Sequence, residues 1–336
     1  MNSLQRMRGL LSGGPVDRVP NFDILMQFAS HFIDEPLSRY YQDYTVLCEA
    51  NLAVLEAFEL DIVQAISDPY REAYDFGAEI VFPDDGLPIC KKPLIENPSD
   101  LNRLRRTSPE TGKRMSDRLE AVRFFRESVG GEVPVMGWVE GAISEAATLR
   151  GVNALLVDLV ERPEWVKELL GLVVDNQVAF ARAQAEAGAD IIGLGDSIAS
   201  QISAEMYREF AMPHEKRIFE AVHEAGALAR LHICGNTTHI LRDMPRTWAD
   251  IIDLDWMVSL SEARNACGPR QALCGNFDPV SVMLQGTPTQ VRHAVEKNLL
   301  DGGAKLFSAA GCEIPDKTPH KNLQAQAEVL AGRQPS

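Results

Sequence analysis

Short apolar runs alternate with longer amphipathic stretches along most of this chain. The runs begin near positions 19, 60, 133, 189, 228, 249, 271 and 305 and are rich in Val, Ile and Leu, which is typical of buried strands. Each is followed by helical periodicity or a helical turn. Because alternation of this kind builds a parallel sheet, the eight units predict one (β/α)8 TIM barrel over residues 1–336.

The stretches between the strands carry their own boundary signals. Residues 152–187 are predicted to be helical in two pieces, because Pro163 interrupts the apolar periodicity. The segment that begins at Thr287 has the pattern of a capping box with a first-turn proline. A short helical lead-in precedes the first strand. The polar, Pro-rich segment 71–98 is predicted to leave the barrel, with residues 78–82 pairing in a small hairpin.

A doubly wound open sheet is the alternative arrangement of these elements. The turn after the first predicted strand has no Gly-rich dinucleotide-binding pattern, which favours the barrel. In a barrel the active site lies at the carboxyl ends of the strands. The polar residues predicted at those ends are Asp68, Glu140, Asp196, Ser197, His232, Cys234, Asp255, Asn276, Asp278 and Cys312.

Charge and composition narrow the possible partners. The formal net charge of −15 argues against nucleic acid and against anionic membrane surfaces, both of which need basic patches. No apolar segment approaches the ~18 residues of a membrane span, and the N-terminus lacks the apolar core of a signal peptide. We therefore expect a cytoplasmic protein whose six cysteines are reduced thiols.

Two of the strand ends carry a candidate metal site. His232 and Cys234 stand two residues apart at the end of an apolar run, so on a strand both side chains point to the same side. Cys312 ends another apolar run. One imidazole and two thiols suit Zn²⁺, and three protein ligands leave a position open for catalysis. Glu140 is a further oxygen candidate; the alternative is that the cysteines are only small buried apolar residues.

Six stretches, in order along nearly the whole chain, resemble the uroporphyrinogen decarboxylase superfamily. They are GADIIGLGDS (188–197), MYREFAMPHEKRI (206–218), HICG (232–235), DIIDLDW (250–256), GNFDP (275–279) and CEIPDKTP (312–319). This superfamily contains the decarboxylases and a branch of zinc-dependent methyltransferases that work with corrinoid proteins. The resemblance therefore implies a barrel fold and two possible chemistries.

Three departures separate the chain from the decarboxylases. The decarboxylases resemble one another in a Met-Arg-Gln-Ala-Gly-Arg segment that gathers substrate carboxylates, and residues 26–31 here read Met-Gln-Phe-Ala-Ser-His. Their Gly-His-Gly near the last strand is replaced by residues 311–313, Gly-Cys-Glu. They also lack the cysteine found here as Cys234. The two added thiols favour the methyltransferase branch.

The resemblance implies a ligand set and a reaction. His232, Cys234 and Cys312 are the implied zinc ligands, with Glu140 as a displaceable fourth. The favoured reaction moves a methyl group between a methyl-corrinoid, carried on a partner corrinoid protein, and a small thiol such as coenzyme M. One alternative moves methyl from an ether, amine or thioether donor to Co(I) corrinoid. Another is uroporphyrinogen decarboxylation at Asp68, and a third is a metal or corrinoid carrier without catalysis.

The remaining predictions concern the barrel mouth and the assembly. Asp68 and Asp196 are candidate catalytic residues, although a carboxylate in the position of Asp196 often caps the next helix. Trp138 and Trp256 are predicted to line a wide apolar rim for the corrinoid. The chain has no Asp-x-His-x-x-Gly segment of the kind found in cobalamin-binding domains, so we expect the corrinoid on a separate chain. The superfamily makes a homodimer plausible.

Overall fold

The computed structural model describes residues 1–104 and 106–333. Seven of its nine strands form one parallel sheet in the order β1-β4-β5-β6-β7-β8-β9, which gives a TIM-barrel-like fold. The strands are β1 Val63–Gln64, β2 Ile80–Val81, β3 Ile89–Cys90, β4 Val135–Glu140, β5 Ile191–Gly195, β6 Leu228–Ile233, β7 Ile251–Leu254, β8 Ala272–Cys274 and β9 Leu306–Phe307.

The first predicted strand, residues 19–25, is present only as an isolated parallel bridge between Asn21 and Ser308. Side chains take up some of the backbone amides that a regular ladder would pair. The amide of Asn21 donates to Asp61 Oδ2 at 2.7 Å, and the amide of Asp23 donates to the side chain of Asn21 at 3.2 Å. The prediction of a regular strand here was therefore wrong, although the Asn21 carbonyl also accepts from the amide of Asp61 at 2.9 Å.

The helices follow the strands much as the periodicity predicts. The break at Pro163 separates α8 from α9, and a capping box at Thr287 begins α13. The helices are α1 Ser3–Ser12, α2 Gln27–Phe32, α3 Leu37–Gln42, α4 Tyr44–Ala57, α5 Arg71–Phe76, α6 Lys113–Val129, α7 Ala142–Arg150, α8 Val152–Glu161, α9 Pro163–Glu186, α10 Ala204–Met206, α11 Met212–Glu224, α12 Leu260–Cys267, α13 Pro288–Gly302 and α14 His320–Leu330.

Strands β2 and β3 lie outside the main sheet and pair antiparallel. Ile80 is opposite Cys90, and Val81 is opposite Ile89. Ile80 is buried, whereas its neighbour Val81 and the cross-strand partner Ile89 are exposed, because successive residues of a strand face opposite sides. The polar excursion predicted after β1 thus contains a small two-stranded element.

Strand β4 shows how the two layers of the core are built. Met136 and Trp138 belong to a buried cluster of inward-facing residues from several strands. Val135 and Val139 belong to the larger cluster that packs against the outer helices. All four side chains are buried, as the two-residue period of a doubly covered strand requires.

The amino end of the barrel is filled by helix α1. Its residues Leu4, Met7 and Leu10 belong to the same buried cluster as the inward-facing strand residues. Side chains of α1 and of the strands therefore fill the interior of the barrel on this side. Within the described residues, no helix is both long enough and apolar enough to cross a membrane.

Candidate metal centre

The structure brings the three predicted zinc ligands together. His232 lies near the end of β6, Cys234 follows that strand, and Cys312 follows β9. Their potential ligand atoms all lie within 4.8 Å of one another, and His232 Nε2 is 3.0 Å from Cys234 Sγ. One nitrogen and two sulfur donors therefore converge from strands that are distant in sequence.

Close backbone packing fixes the loop that carries Cys312. A Cβ atom added to Gly311 would lie 2.1 Å from the backbone nitrogen of Trp256, so only glycine lets the loop after β9 approach the loop after β7 this closely. Asp255 secures the neighbouring loop, because its Oδ2 accepts from the amide of Gly235 at 2.9 Å. Asp255 thus holds backbone amides at the barrel mouth.

The three donor groups shift one another's pKa values. A hydrogen bond with Cys234 lowers the pKa of the Cys312 thiol to about 5, against the effect of burial. The pKa of Cys234 is raised by the same contact and by burial. Burial alone would lower the pKa of His232, but the charges of Cys234 and Asp253 raise it well above its usual value. These donor atoms therefore hold protons that a bound metal ion can displace.

One residue that contacts this group was missed by the sequence analysis. Asp253 is the cross-strand neighbour of His232 in the β6–β7 register, and its Oδ2 lies 3.2 Å from His232 Nδ1. Burial would raise the pKa of Asp253, but the adjacent Arg230 and His232 lower it. The signal was available: Asp253 alternates with Ile251 on the inward face of β7, where an acidic residue is out of place.

A cavity of about 250 Å³ opens beside the metal centre. The sequence analysis named eight candidate catalytic, rim and metal-binding residues. Seven of them line this cavity, and Trp256 does not. The cavity's lining residues are Ile24, Met26, Ile66, Asp68, Pro69, Arg71, Trp138, Glu140, Gly195, Asp196, Ser197, His232, Cys234, Cys312 and Glu313.

Glu140 lines the same cavity as the thiols but is hydrogen-bonded to other residues. Its Oε1 accepts from Arg71 Nη2 at 2.8 Å and from Trp138 Nε1 at 3.2 Å. Within the described chain, the convergent group of donor atoms contains three residues and leaves Glu140 out. Burial raises the pKa of Glu140 to about 7, although Arg71 opposes this. Its assignment as a displaceable fourth ligand stays a prediction.

Asp68 is enclosed by hydrogen bonds. Its Oδ2 accepts from Arg114 and from Ser67, and its Oδ1 accepts from the amide of Tyr70 at 3.0 Å. Burial would raise the pKa of Asp68, but the charges of Arg114 and Arg71 lower it. Sequence reasoning missed both arginines, because Arg114 comes from α6, far along the chain, and nothing in its surroundings marks it as a buried cation.

Asp196 caps a helix from the end of β5. Its Oδ1 accepts from the amide of Ser144, in the first turn of α7, at 3.0 Å. The absence of a side chain at Gly141 makes room for it, since a Cβ there would lie 2.1 Å from the Asp196 Cγ. Burial raises the pKa of Asp196 to about 6. Asp196 thus binds a backbone amide of α7, which precedes β5, rather than capping the next helix as the alternative expected, and a catalytic role stays a prediction.

The two predicted rim tryptophans have different environments. Trp138 is 4% exposed, and its ring lies against β5, where a Cβ at Gly193 would approach to 2.2 Å. Trp256 is 44% exposed and is followed by the exposed Met257. Trp138 therefore forms part of the cavity wall, whereas Trp256 faces solvent at the mouth.

The fold and this site define a barrel protein with a His-Cys-Cys centre at the carboxyl ends of its strands. The profile of the family Uroporphyrinogen decarboxylase (URO-D) matches residues 2–332, so the chain belongs to that family. It is 36% identical to the methylcobamide:CoM methyltransferase MtbA of Methanosarcina mazei, over 84% of this chain and 82% of that protein. It is 34% identical to the methylcobamide:CoM methyltransferase MtbA of Methanosarcina acetivorans, over 96% of each chain.

Similarity extends to the decarboxylases and to solved structures. The uroporphyrinogen decarboxylase of Nocardia farcinica is 29% identical over 82% of this chain and 80% of that protein. The structure of a methyltransferase from Methanosarcina mazei superposes with a TM-score of 0.90 at 24% identity, covering 99% of both chains. A B12-independent methionine synthase from a Shewanella species gives 0.59 at 13% identity, covering 94% of this chain and 98% of that one. These structures support the barrel fold.

Proposed function

We propose that this protein is a methyltransferase that moves a methyl group between a methyl-corrinoid and a small thiol of the coenzyme M type. The observation that carries the proposal is the convergence of His232, Cys234 and Cys312 donor atoms within 4.8 Å on the wall of a cavity at the barrel mouth. The relatives named methylcobamide:CoM methyltransferase, at 36% and 34% identity, support the same chemistry.

The donor set fits Zn²⁺, and His232, Cys234 and Cys312 would hold it. A zinc ion supplies Lewis acidity that deprotonates a coordinated thiol, which in free form has a pKa of ~8.5. Cys234 and Cys312, as thiolates, offset the charge of a dication, so that a thiolate bound beside them keeps its electron density. We propose Glu140 as the displaceable fourth ligand because its carboxylate lines the same cavity.

The corrinoid, as a substrate carried by a partner protein, would meet the enzyme at the mouth. Trp256 and Met257 are exposed there, and the backbone of Trp256 packs against Gly311, beside Cys312. We assign the corrinoid contact to this exposed pair, and we assign Trp138 to the inner wall. The wall also contains the candidate catalytic residues Asp68 and Asp196.

Two features argue against the decarboxylase alternative. Where the decarboxylases carry substrate-binding arginines, the amide of Gln27 donates to Glu313 Oε1 at 2.8 Å, so a carboxylate of the chain itself occupies this region. Asp68, the residue that would act in decarboxylation, already has hydrogen-bond partners on both carboxylate oxygens. Neither arrangement favours a substrate rich in carboxylates.

The closure of the barrel belongs to the same proposal. Residues 19–25 contact β9 through Ser308, and the Asn21 carbonyl contacts the Asp61 amide just before β1. We propose that this segment takes the place of an eighth strand and closes the ring. The hairpin arrangement of the excursion after β1, the cytoplasmic location and the homodimer stay predictions.

Metal analysis tests the proposal first. We expect about one zinc per chain in untagged protein purified without added metal, and little in Cys234→Ala, because one of the two thiolate ligands is lost. Loaded protein should then demethylate methylcobalamin with a thiol from a panel that includes coenzyme M. Well-folded protein without zinc, or zinc-loaded protein that is inactive with every thiol and methyl-corrinoid tried, would contradict the proposal.

A further inference from the structure

His232 of the metal centre is the first of three residues that lie side by side across strands β6, β7 and β8. The register pairs His232 with Asp253 and Asp253 with Cys274. Arg230, two residues before His232, therefore faces the same side of the sheet. Its Nε and Nη2 lie 3.1 and 2.6 Å from Asp253 Oδ2. One carboxylate oxygen thus faces both the guanidinium and the imidazole.

These charged groups are buried in the barrel interior, where Asp23 is a further buried carboxyl group. Arg230 is fully buried, and Asp253 and His232 are 1% and 4% exposed. Ion pairs in such places often contribute little net stability, because taking charges out of water costs about as much free energy as their attraction returns. The buried charges under His232 therefore call for an explanation other than stability.

The imidazole offers that explanation. His232 Nε2 faces the sulfur of Cys234 at 3.0 Å, while Nδ1 lies 3.2 Å from Asp253 Oδ2, within reach of an ionic contact although its N–H is not aligned for a regular hydrogen bond. A carboxylate beside one ring nitrogen favours the tautomer that leaves the other nitrogen free to bind a metal. The ring is thereby turned with Nε2 toward the thiols.

We propose that Asp253 is a positioning residue that orients His232 for metal binding, and that Arg230 holds Asp253 in place. Arg230 suits this task because a guanidinium stays protonated in proteins. Two buried side chains also lie against it. Cys274 Sγ lies 3.5 Å and Met136 Sδ 3.8 Å from the guanidinium. The inference rests on the proposed metal centre and adds two residues that bind neither metal nor substrate.

Asp253→Asn is the first test, with Asp61→Asn as its matched control. Asp61 is equally buried and is paired with two arginines, Arg6 and Arg18, but it precedes β1 at the amino end of the barrel. We expect Asp253→Asn to weaken zinc binding about 10- to 100-fold in a competition with a chromophoric chelator. Asp61→Asn should keep the wild-type affinity.

A spectroscopic measurement separates orientation from general destabilisation. With Co²⁺ in place of zinc, the ligand-field bands report the geometry of the donor set. We expect these bands to change in Asp253→Asn and to stay unchanged in Asp61→Asn, even where both variants lose stability. Wild-type bands together with wild-type affinity in folded Asp253→Asn would overturn the inference.

A double variant keeps the test decisive where Asp253→Asn does not fold. Arg230→Met with Asp253→Leu removes both charges at once, and replacements of this kind often preserve a fold. We expect the same loss of zinc affinity, since His232 again lacks its partner. His232→Ala distinguishes the two proposals: unchanged zinc binding in this variant would overturn the metal centre itself. Loss of zinc in His232→Ala with full affinity in the double variant would overturn only the role of Asp253.

Discussion

The two sides of the cavity contain polar groups in very different states. On one side, His232, Cys234 and Cys312 direct their donor atoms toward one another, and those atoms share protons. On the other side, Arg71 and Glu140 are joined in a buried ion pair at 2.8 Å. The first group holds protons that a bound metal ion can displace, whereas the second already has its counter-charges.

This difference indicates separate tasks for the two sides. A group of imidazole and thiol donors whose protons a metal ion can displace is suited to bind one. A group of carboxylates that already contact arginines, as Asp68 contacts Arg114, is suited to give the wall a fixed shape and charge. Perturbed carboxylates alone therefore do not identify the reactive centre of this cavity.

The largest effect is expected from removing a thiol of the metal centre. Cys312→Ala should remove nearly all bound zinc and lower methyl-transfer activity by on the order of 100-fold or more, because the site keeps only one of its two thiolates. The barrel should stay folded, since its core is built from other residues. Metal analysis, an activity assay and circular dichroism check these three outcomes.

Cys48→Ala is the matched control for this variant. Cys48 is a fully buried thiol in the outer core, and its Sγ donates to the carbonyl oxygen of Ala121 at 3.5 Å. Its removal should cost stability and leave zinc in place. If Cys312→Ala unfolds as a whole while Cys48→Ala does not, the Cys312 thiol is structural and the contrast between the two sides fails.

For the ion-paired residues of the cavity wall we expect the opposite result: lower stability with unchanged zinc content. Asp68→Asn removes the charge that faces Arg114 and should lower the free energy of unfolding by about 3 kcal/mol, because a buried cation is left without its partner. Zinc content should not change. Urea unfolding and metal analysis measure the two effects, and loss of zinc in this variant would mean that the ligand set is wrong.

Asp175→Asn provides a surface comparison for Asp68→Asn. Asp175 is also paired with two arginines, Arg106 and Arg217, but it is 39% exposed. Exposed pairs contribute about 0 to 1 kcal/mol, so this variant should be nearly as stable as the parent protein. Equal destabilisation by the two substitutions would show that burial of the Asp68 ion pair does not change its contribution to stability.

A smaller effect is expected at the mouth. Trp256→Ala should lower kcat/KM for a methylated corrinoid protein by about tenfold, the loss typical of an exposed aromatic anchor in an interface. Zinc content and stability should be unchanged. Trp248→Ala is the control, because Trp248 is 50% exposed and stacks with Lys216. Equal loss of kcat/KM in both variants would contradict a specific contact at Trp256.

A further expected effect concerns the dependence of stability on pH. Burial raises the pKa of Glu140 to about 7, from about 4.3 in an unfolded chain. Between these values the folded protein holds a proton that the unfolded chain releases, so stability from this group falls as pH rises from about 4 to about 7. Glu140→Gln should flatten that decline. Unfolding curves measured across this range check it, with the exposed Glu79→Gln as control; parallel curves for Glu140→Gln and wild type would contradict it.

The success of the sequence analysis depended on how local each signal was. The helix break at Pro163 and the cap at Thr287 are set by a few neighbouring residues, and both were confirmed. The convergence of Cys312 with His232 followed from the barrel rule that strand ends meet at one mouth. Such rules place residues on a face but give no distances between them.

What the sequence analysis missed depends on partners that are far apart in the chain. Arg71 approaches Glu140, and Arg114 approaches Asp68, across separations over which no pattern links the residues. Residues 19–25 read as a strand by composition, yet side-chain acceptors take the place of regular ladder bonds. The register that sets Asp253 beside His232 likewise becomes visible only when the strands are paired.

The filling of the lower barrel by α1 has a kinetic consequence. Because the interior beneath the cavity is packed with side chains, both substrates of the proposed reaction use the mouth. In the proposed reaction, a small thiol at the metal centre would lie deeper than a corrinoid protein that rests against Trp256. The thiol would then have to bind before the corrinoid protein, and its methylated product would leave only after that protein. A packed floor would thus impose an order of arrival and departure on the proposed catalytic cycle.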